Sequence, residues 1–368
     1  MTRMLIVRKP FEDQPTGWWW NPGTLILAAL AVLLVVPQAL AAQPGPPLTT
    51  HVFEIADEQE VLGQLQKVVA RHEDTLPDIG RMFDLGHDEI ARANPDIDVW
   101  LPGEGTEILL PTQFVLPEAP REGLVLNVAA MRVYYFAPKD AKGRQLVYTH
   151  PIGIGRLGWA TPLGTTSISA KAKDPSWYVP KSILKEHEEE GDPLPPIVPP
   201  GPDNPLGQYA LRLALPGYLI HGTNQPWGVG LRVSHGCIRL YPEDIEALFE
   251  MVPRKTAVHI VEQPYLVGWH DGRLLFTAHK PLEESGGDWL ATLELIDRRV
   301  GEAPQGVEAG EIDWGRVARI ARAGTGIALP IEIDTPAATD WVAAVPTVRT
   351  EAVANYRPSE AEEAAPEG

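Results

Sequence analysis

Only one cysteine, Cys237, occurs in the 368 residues. An intramolecular disulfide is excluded, and with it the stapled scaffold of many small exported proteins. The thiol is left as a buried hydrophobe, a reactive group, or half of an intermolecular bond. No lysine–arginine cluster stands out, and 49 acidic residues against 31 basic ones give a net charge of −18. Nucleic acid, whose binding needs a basic patch, is therefore not expected as a partner. Gly153, Gly155, Gly158 and Gly164 precede no helical pattern and no Gly-Lys-Ser/Thr, which excludes a phosphate loop. The N-terminal apolar run, Thr24 to Val36, falls short of the roughly 20 residues that span a bilayer comfortably.

That run follows Arg3, Arg8 and Lys9 and leads into Pro37-Gln38-Ala39-Leu40-Ala41-Ala42. The order predicts a secretory signal over residues 1–42, cleaved after Ala41 or Ala42, and a periplasmic protein. Glu12, Asp13 and Trp18-Trp19-Trp20 are unusual in such a segment and keep an uncleaved membrane anchor as the alternative. The 37 prolines and 33 glycines point to many turns and a β-rich fold. Hydrophobic content of 44% and charged content of 22% indicate a globular chain, and its length suits two or three domains.

Residues 43–70 read as a linker and short N-terminal segment that includes a strand, His51–Ile55. Residues 71–115 form a unit of their own. Leu76, Ile79, Met82 and Phe83 recur at helical spacing, a second helix runs from Asp88 to Asn94-Pro95, and Leu101-Pro102-Gly103 turns into a strand, Glu107–Pro111. This order resembles a LysM domain, a small α+β glycan-binding module, with its leading strand displaced. A purely structural subdomain is the other reading. From Gly123 the pattern alternates, with strands over Leu124–Val128, Met131–Phe136 and Gln145–Tyr148, as in an antiparallel sheet or barrel. Lys181–Glu190 reads as a short helix and Pro193–Pro205 as a loop of the kind that is a lid, a binding wall or disordered. Residues 263–350 read as a mixed α/β extension with a hairpin around Asp271-Gly272, a helix over Asp313–Ala323 and a strand over Leu329–Ile333. Residues 351–368 read as a disordered tail.

Chemistry concentrates in Tyr218-Leu219-Ile220-His221-Gly222-Thr223 and Val233-Ser234-His235-Gly236-Cys237-Ile238-Arg239-Leu240. A thiol attacks as thiolate, and free cysteine titrates at about 8.5, so it needs a base or a positive neighbour. His221 and His235 are the candidate bases. His235 and Cys237, two apart, would share a face of an extended chain. Gly236 permits a sharp turn, after which the Gly236 and Cys237 amides could converge on an oxyanion. Packing alone is the bland reading of Cys237, and zinc ligation by His221, His235 and Cys237 is another, though no fourth ligand stands out.

Together these residues resemble the signature of the YkuD-type L,D-transpeptidases, a histidine, a spacer, then Ser/Thr-His-Gly-Cys. Asp203-Asn204-Pro205-Leu206-Gly207, Ala210–Leu213 and Arg239 resemble the ErfK-like branch, and Thr161-Pro162-Leu163-Gly164 resembles the family's Thr-Pro-x-Gly turn. The resemblance covers about residues 121–262. It implies a mainly β, sandwich- or barrel-like catalytic domain that works on peptidoglycan stem peptides, with no metal or organic cofactor. It implies Cys237 as nucleophile and His221 as proton donor and acceptor, with Ser234, His235 and Gly236 shaping the site. Arg239 would hold a substrate carboxylate or form a structural salt bridge; Tyr218 and Trp227 would line the groove. The acceptor would be a second stem peptide, an outer-membrane lipoprotein amine, or water.

Overall fold

The computed structural model describes residues 51–348. The expected signal segment, the first residues of the linker and the tail lie outside them. Nine strands form the main sheet, in the spatial order His51–Ile55, Gln145–Pro151, Arg132–Phe136, Gly123–Asn127, Ala257–Val261, Gly164–Lys173, Tyr209–Leu213, Leu219–His221, Ile238–Arg239. Neighbours run antiparallel except at two places. Gly123–Asn127 lies parallel to Ala257–Val261, and Leu219–His221 parallel to Ile238–Arg239.

Strand alternation builds two cores on one sheet. Leu124, Leu126, Val133 and Tyr135 pack with Ile220, Ile238, and Ile245 and Leu248 of helix Pro242–Met251. Val125, Tyr134, Phe136 and Val147 pack on the other side with Leu76, Ile79, Met82 and Ile90. Both faces are covered, so the central strands are apolar at successive positions and the simple alternation read around Leu124, Leu126 and Val128 is only half of their pattern. The half-exposed strand Gly164–Lys173, rich in Thr, Ser and Lys, alternates only through Ile168 and two alanines and was not anticipated.

The second face is covered by a β-α-α-β unit, Gln66–Val69, Leu76–Met82, His87–Ala93 and Glu107–Leu110, with its two strands antiparallel. Thr75 caps the first helix, accepting from the Asp78 N–H at 3.2 Å. Asn94 ends the second helix and ties it to the last strand, donating to Leu109 O at 2.8 Å and accepting from Leu109 N–H at 2.8 Å. The leading strand is thus in place at Gln66–Val69 rather than displaced, and Val61–Gly63 pairs with Gln113–Val115. Residues 51–69 hold three strands where one was expected, because Gln66 and Lys67 interrupt the apolar pattern. His51–Ile55 joins the edge of the main sheet instead.

After residue 263, Tyr265–His270, Arg273–Ala278 and Leu329–Pro330 form a three-stranded sheet. Its hairpin is the one expected; its last strand is shorter than expected, as Pro330 has no N–H to donate. Helix Trp314–Ala323, capped by Asp313, packs on this sheet, as does Trp289–Gly301, which was not anticipated. The extension also grips the β-α-α-β unit. Lys67 N–H donates to Pro346 O at 2.9 Å and Val348 N–H to Lys67 O at 2.7 Å.

Between sheet and β-α-α-β unit the seam is polar. Buried Arg132 donates through Nη2 to Glu89 Oε2 at 2.7 Å and to Asp84 O at 2.8 Å. His150 Nδ1 lies 3.1 Å from Asp84 Oδ2 and 3.2 Å from Asp244 Oδ1, and all three side chains are buried. Burial opposes charge on the ring, but Asp244 and Asp84 outweigh it and push His150 up to about 10. Because the folded value lies above the ordinary 6.5, this stabilisation is complete below pH 6.5 and is lost as the pH rises towards about 10. His150→Ala should cost about 3–5 kcal/mol in urea unfolding, since it leaves two buried carboxylates facing each other. An unchanged midpoint would show that the triad contributes nothing.

Candidate active site

The site rests on the parallel pair at the sheet edge. Ile220 lies opposite Ile238, and His221 opposite Arg239. Ile220 and Ile238 point into the core. By alternation His221, Cys237 and Arg239 lie on the other face, with Cys237 and His221 as diagonal neighbours. Arg239 is held on its far side by Gly153, whose N–H donates to Arg239 O at 2.8 Å and whose carbonyl accepts from Arg239 N–H at 2.9 Å.

Ser234-His235-Gly236-Cys237 forms a tight turn between strands Arg232–Ser234 and Ile238–Arg239. Gly236 has φ +99°, and a Cβ there would come within 2.9 Å of the Tyr218 ring, so only glycine fits. Ser234 Oγ accepts from Gly236 N–H at 3.2 Å and donates to Cys237 O at 2.5 Å. Thr161 Oγ1 donates to Gly236 O at 3.1 Å and accepts from Gly155 N–H at 3.1 Å.

Two expectations are corrected by this turn. The Gly236 amide is engaged by Ser234, so it does not face an oxyanion. The left-handed residue also breaks the alternation that was to place His235 beside Cys237. His235 instead sets Nε2 3.0 Å from Arg156 Nη2 and 3.0 Å from Glu186 Oε2, with its ring edge-on to Trp159 at 4.9 Å between centroids. With His235 so engaged, His221, His235 and Cys237 do not converge as a ligand set. The His/Cys/Asp/Glu group with converging atoms among the described residues is Asp84, His150 and Asp244 at the seam.

His221 is buried, and its Nδ1 lies 2.6 Å from Gly222 O. A carbonyl only accepts, so Nδ1 donates to it, and the Leu206 carbonyl is a second acceptor facing the ring. Burial, then the nearby Arg239, hold His221 down to about 3. The half-buried Cys237 has Sγ 3.8 Å from Gly217 O. Burial pushes its thiol up; the Leu219 N–H and the Arg239 guanidinium pull the other way without offsetting it. Arg239 has a buried Nε with no hydrogen-bond partner, and no carboxylate pairs with it among the described residues. The structural salt bridge is therefore not what this arginine makes. Tyr218 lies against the turn, whereas Trp227 sits in the 3-10 turn Pro226–Gly228 and is 44% exposed.

Arg156, Trp159 and Glu186 escaped sequence reasoning. Glu186 is 49 positions from His235 and Arg156 is 79, so no local spacing links them. Arg156 and Trp159 lie in the glycine-punctuated stretch and Glu186 on helix Lys181–Glu190 of the insertion.

A strand-rich domain with an imidazole on one of two parallel strands and a thiol in the turn just before the other defines a class that the comparisons identify. Residues 121–260 match the YkuD family model, the L,D-transpeptidase catalytic domain. "Probable L,D-transpeptidase YcfS" of Escherichia coli is 38% identical over 271 residues, 72% of this chain and 81% of that one. "Probable L,D-transpeptidase YbiS" of Escherichia coli is 40% identical over 263 residues, 70% and 82% of the two chains. "Probable L,D-transpeptidase ErfK/SrfK" of Salmonella typhimurium is 34% identical over 310 residues, 83% and 96%. The chain belongs to the YkuD-type L,D-transpeptidase family, in its ErfK-like branch.

With the imidazole neutral and the thiol raised, the substrate-free site holds no preformed thiolate–imidazolium pair. Alkylation of Cys237 by iodoacetamide should follow an ionisation above that of free cysteine. A midpoint below pH 7 in the rate–pH profile would show the opposite.

Proposed function

We propose that Cys237 is the nucleophile of a two-step acyl transfer and His221 its proton carrier. The observation that supports this best is the pairing of His221 with Arg239 on two parallel strands, with Cys237 in the turn immediately before the second strand. His221 Nε2 takes the thiol proton as sulfur attacks the carbonyl at the L-centre of meso-diaminopimelate in a tetrapeptide stem. The developing oxyanion faces the Cys237 amide, the donor of the expected pair that Ser234 does not occupy. Collapse breaks the amide bond, and the D-Ala amine leaves with the proton from His221. An acceptor then attacks the thioester, giving its proton to His221, and the thiol is restored.

Arg239 gives this scheme a timing device. Burial, and then its charge, keep His221 weakly basic in the empty site. A substrate carboxylate docked on Arg239 offsets that charge, so the imidazole gains basicity when the substrate is in place. A second stem peptide as acceptor gives a 3-3 cross-link, an outer-membrane lipoprotein amine gives anchorage, and water gives a carboxypeptidase. Tyr218 lines the groove in this reading, with Trp227 further out. The β-α-α-β unit is read as LysM-like and glycan-binding. Its order of elements supports this, as do Trp100 and Leu101, 60% and 80% exposed on the loop before its last strand. The signal segment 1–42 supports a periplasmic location. No helix among the described residues is long and apolar enough to cross a membrane.

Intact-mass analysis after mixing with a carbapenem should show one adduct, absent in Cys237→Ala. His221→Ala should keep the fold and lower acylation by about 10²–10⁴-fold, the usual size of general-base help. A folded wild-type protein that forms no adduct and turns over no muropeptide favours a non-catalytic wall-binding protein. Trp100→Ala should weaken retention on purified peptidoglycan without changing turnover of a soluble muropeptide; unaltered retention removes the glycan-binding role from this loop.

A further inference from the structure

Glu186 lies on helix Lys181–Glu190, in the insertion between strands Gly164–Lys173 and Tyr209–Leu213. Its carboxylate pairs with Arg156 through Oε1 and reaches His235 Nε2 at 3.0 Å through Oε2. Arg156 Nη2 lies 3.0 Å from the same ring nitrogen. That nitrogen cannot accept from Arg156 and donate to Glu186 at once. Burial, then Arg156, hold His235 down to about 4, so the ring is neutral and Arg156 is the charge that meets the carboxylate.

The helix that brings Glu186 here is loosely held. Ile183 is its one buried residue, and its other ion pairs, Lys185–Glu189 and His187–Asp192, stay within the insertion. The place where the carboxylate sits is built into the domain: Arg156 follows Gly155, which Thr161 ties to the Gly236 turn, and His235 is braced by Trp159. Both charged partners are reachable, with Arg156 38% and Glu186 24% exposed in their side chains.

We propose that Arg156 and His235 form a subsite for a carboxylate of the stem peptide, occupied in the empty enzyme by Glu186 and vacated as substrate enters. A guanidinium beside a neutral N–H donor suits one carboxylate, and exchanging Glu186 for a peptide carboxylate conserves charge and hydrogen bonds. His235 of this subsite lies two residues before Cys237 in the same turn. It rests on the reading of Cys237 as the acyl-transfer centre. A stem tetrapeptide offers two carboxylates near the scissile bond, the D-centre carboxylate of meso-diaminopimelate and the D-Ala terminus.

The test measures binding apart from turnover, by calorimetry on the full chain in the Cys237→Ala background. Three peptides are compared: the tetrapeptide, and versions amidated at one carboxylate or the other. Arg156→Gln should weaken tetrapeptide binding about tenfold or more, the usual loss for a charge-assisted hydrogen bond. Arg156→Lys should restore part of it, and Glu186→Gln should tighten binding by removing the competitor. Whichever amidation abolishes the Arg156→Gln effect identifies the carboxylate. Equal effects of Arg156→Gln on all three peptides, or weaker binding in Glu186→Gln, overturn the proposal and leave a clamp that only holds the helix. Carbapenem labelling of each variant with Cys237 intact reports on the nucleophile separately. Loss of labelling throughout with the binding pattern preserved rejects the nucleophile, not the subsite.

Discussion

Two residues of parallel pairing, Ile220 with Ile238 and His221 with Arg239, carry the functional end of this molecule. A pair so short is weak alone. It is fixed because Ile220 and Ile238 are buried, because Gly153 bonds the far side of Arg239, and because helix Pro242–Met251 follows almost at once and seats Ile245 and Leu248 in the same core. The core side of the pair is thus committed to packing. The opposite side is left free for a thiol, an imidazole and a guanidinium.

Those three groups are arranged by burial more than by attraction. A buried neutral histidine next to a half-buried arginine without a carboxylate is a costly arrangement for folding. It leaves the thiol protonated and the arginine unsatisfied until a ligand brings negative charge. The Ser234 and Thr161 hydroxyls hold the turn at the same time, so the sulfur's position does not depend on that ligand. Rigidity lies in neutral hydrogen bonds, and responsiveness in the unpaired charge.

The β-α-α-β unit belongs to the same scaffold rather than hanging from it. Its second helix begins by donating from His87 N–H to Val229 O at 3.0 Å and from Asp88 N–H to Gly230 O at 3.3 Å, on the loop that leads into Arg232–Ser234. Gly86 and Gly230 make this approach possible, since a Cβ on Gly86 would lie 2.8 Å from Gly230 Cα. Together with the Arg132–Glu89 pair and the His150 triad, this joins the unit to the loop before the Cys237 turn. The extension seals the unit from the other side, through Lys67 and the shared packing of Leu65, Ala93 and Leu109 with Trp269 and Phe276.

Local chemistry was legible in the chain. Periodicity located the helices at Leu76–Met82, His87–Ala93 and Trp314–Ala323. One thiol in Ser-His-Gly-Cys with a histidine upstream pointed to the family before any fold was known. Helix Lys181–Glu190 was legible, though not its contact with His235; strands Gln66–Val69 and Gly164–Lys173 were not, because their registers are set by partners far along the chain. What the sequence determined by itself was which residues could react: a unique cysteine, histidines near it, and a glycine able to turn. Only the tertiary structure decided which histidine faces the free side of the pair, that Ser234 takes the Gly236 amide, and that Arg239 stays unpaired. Those outcomes depend on strand pairing and burial across long separations, which residue identity and spacing do not encode.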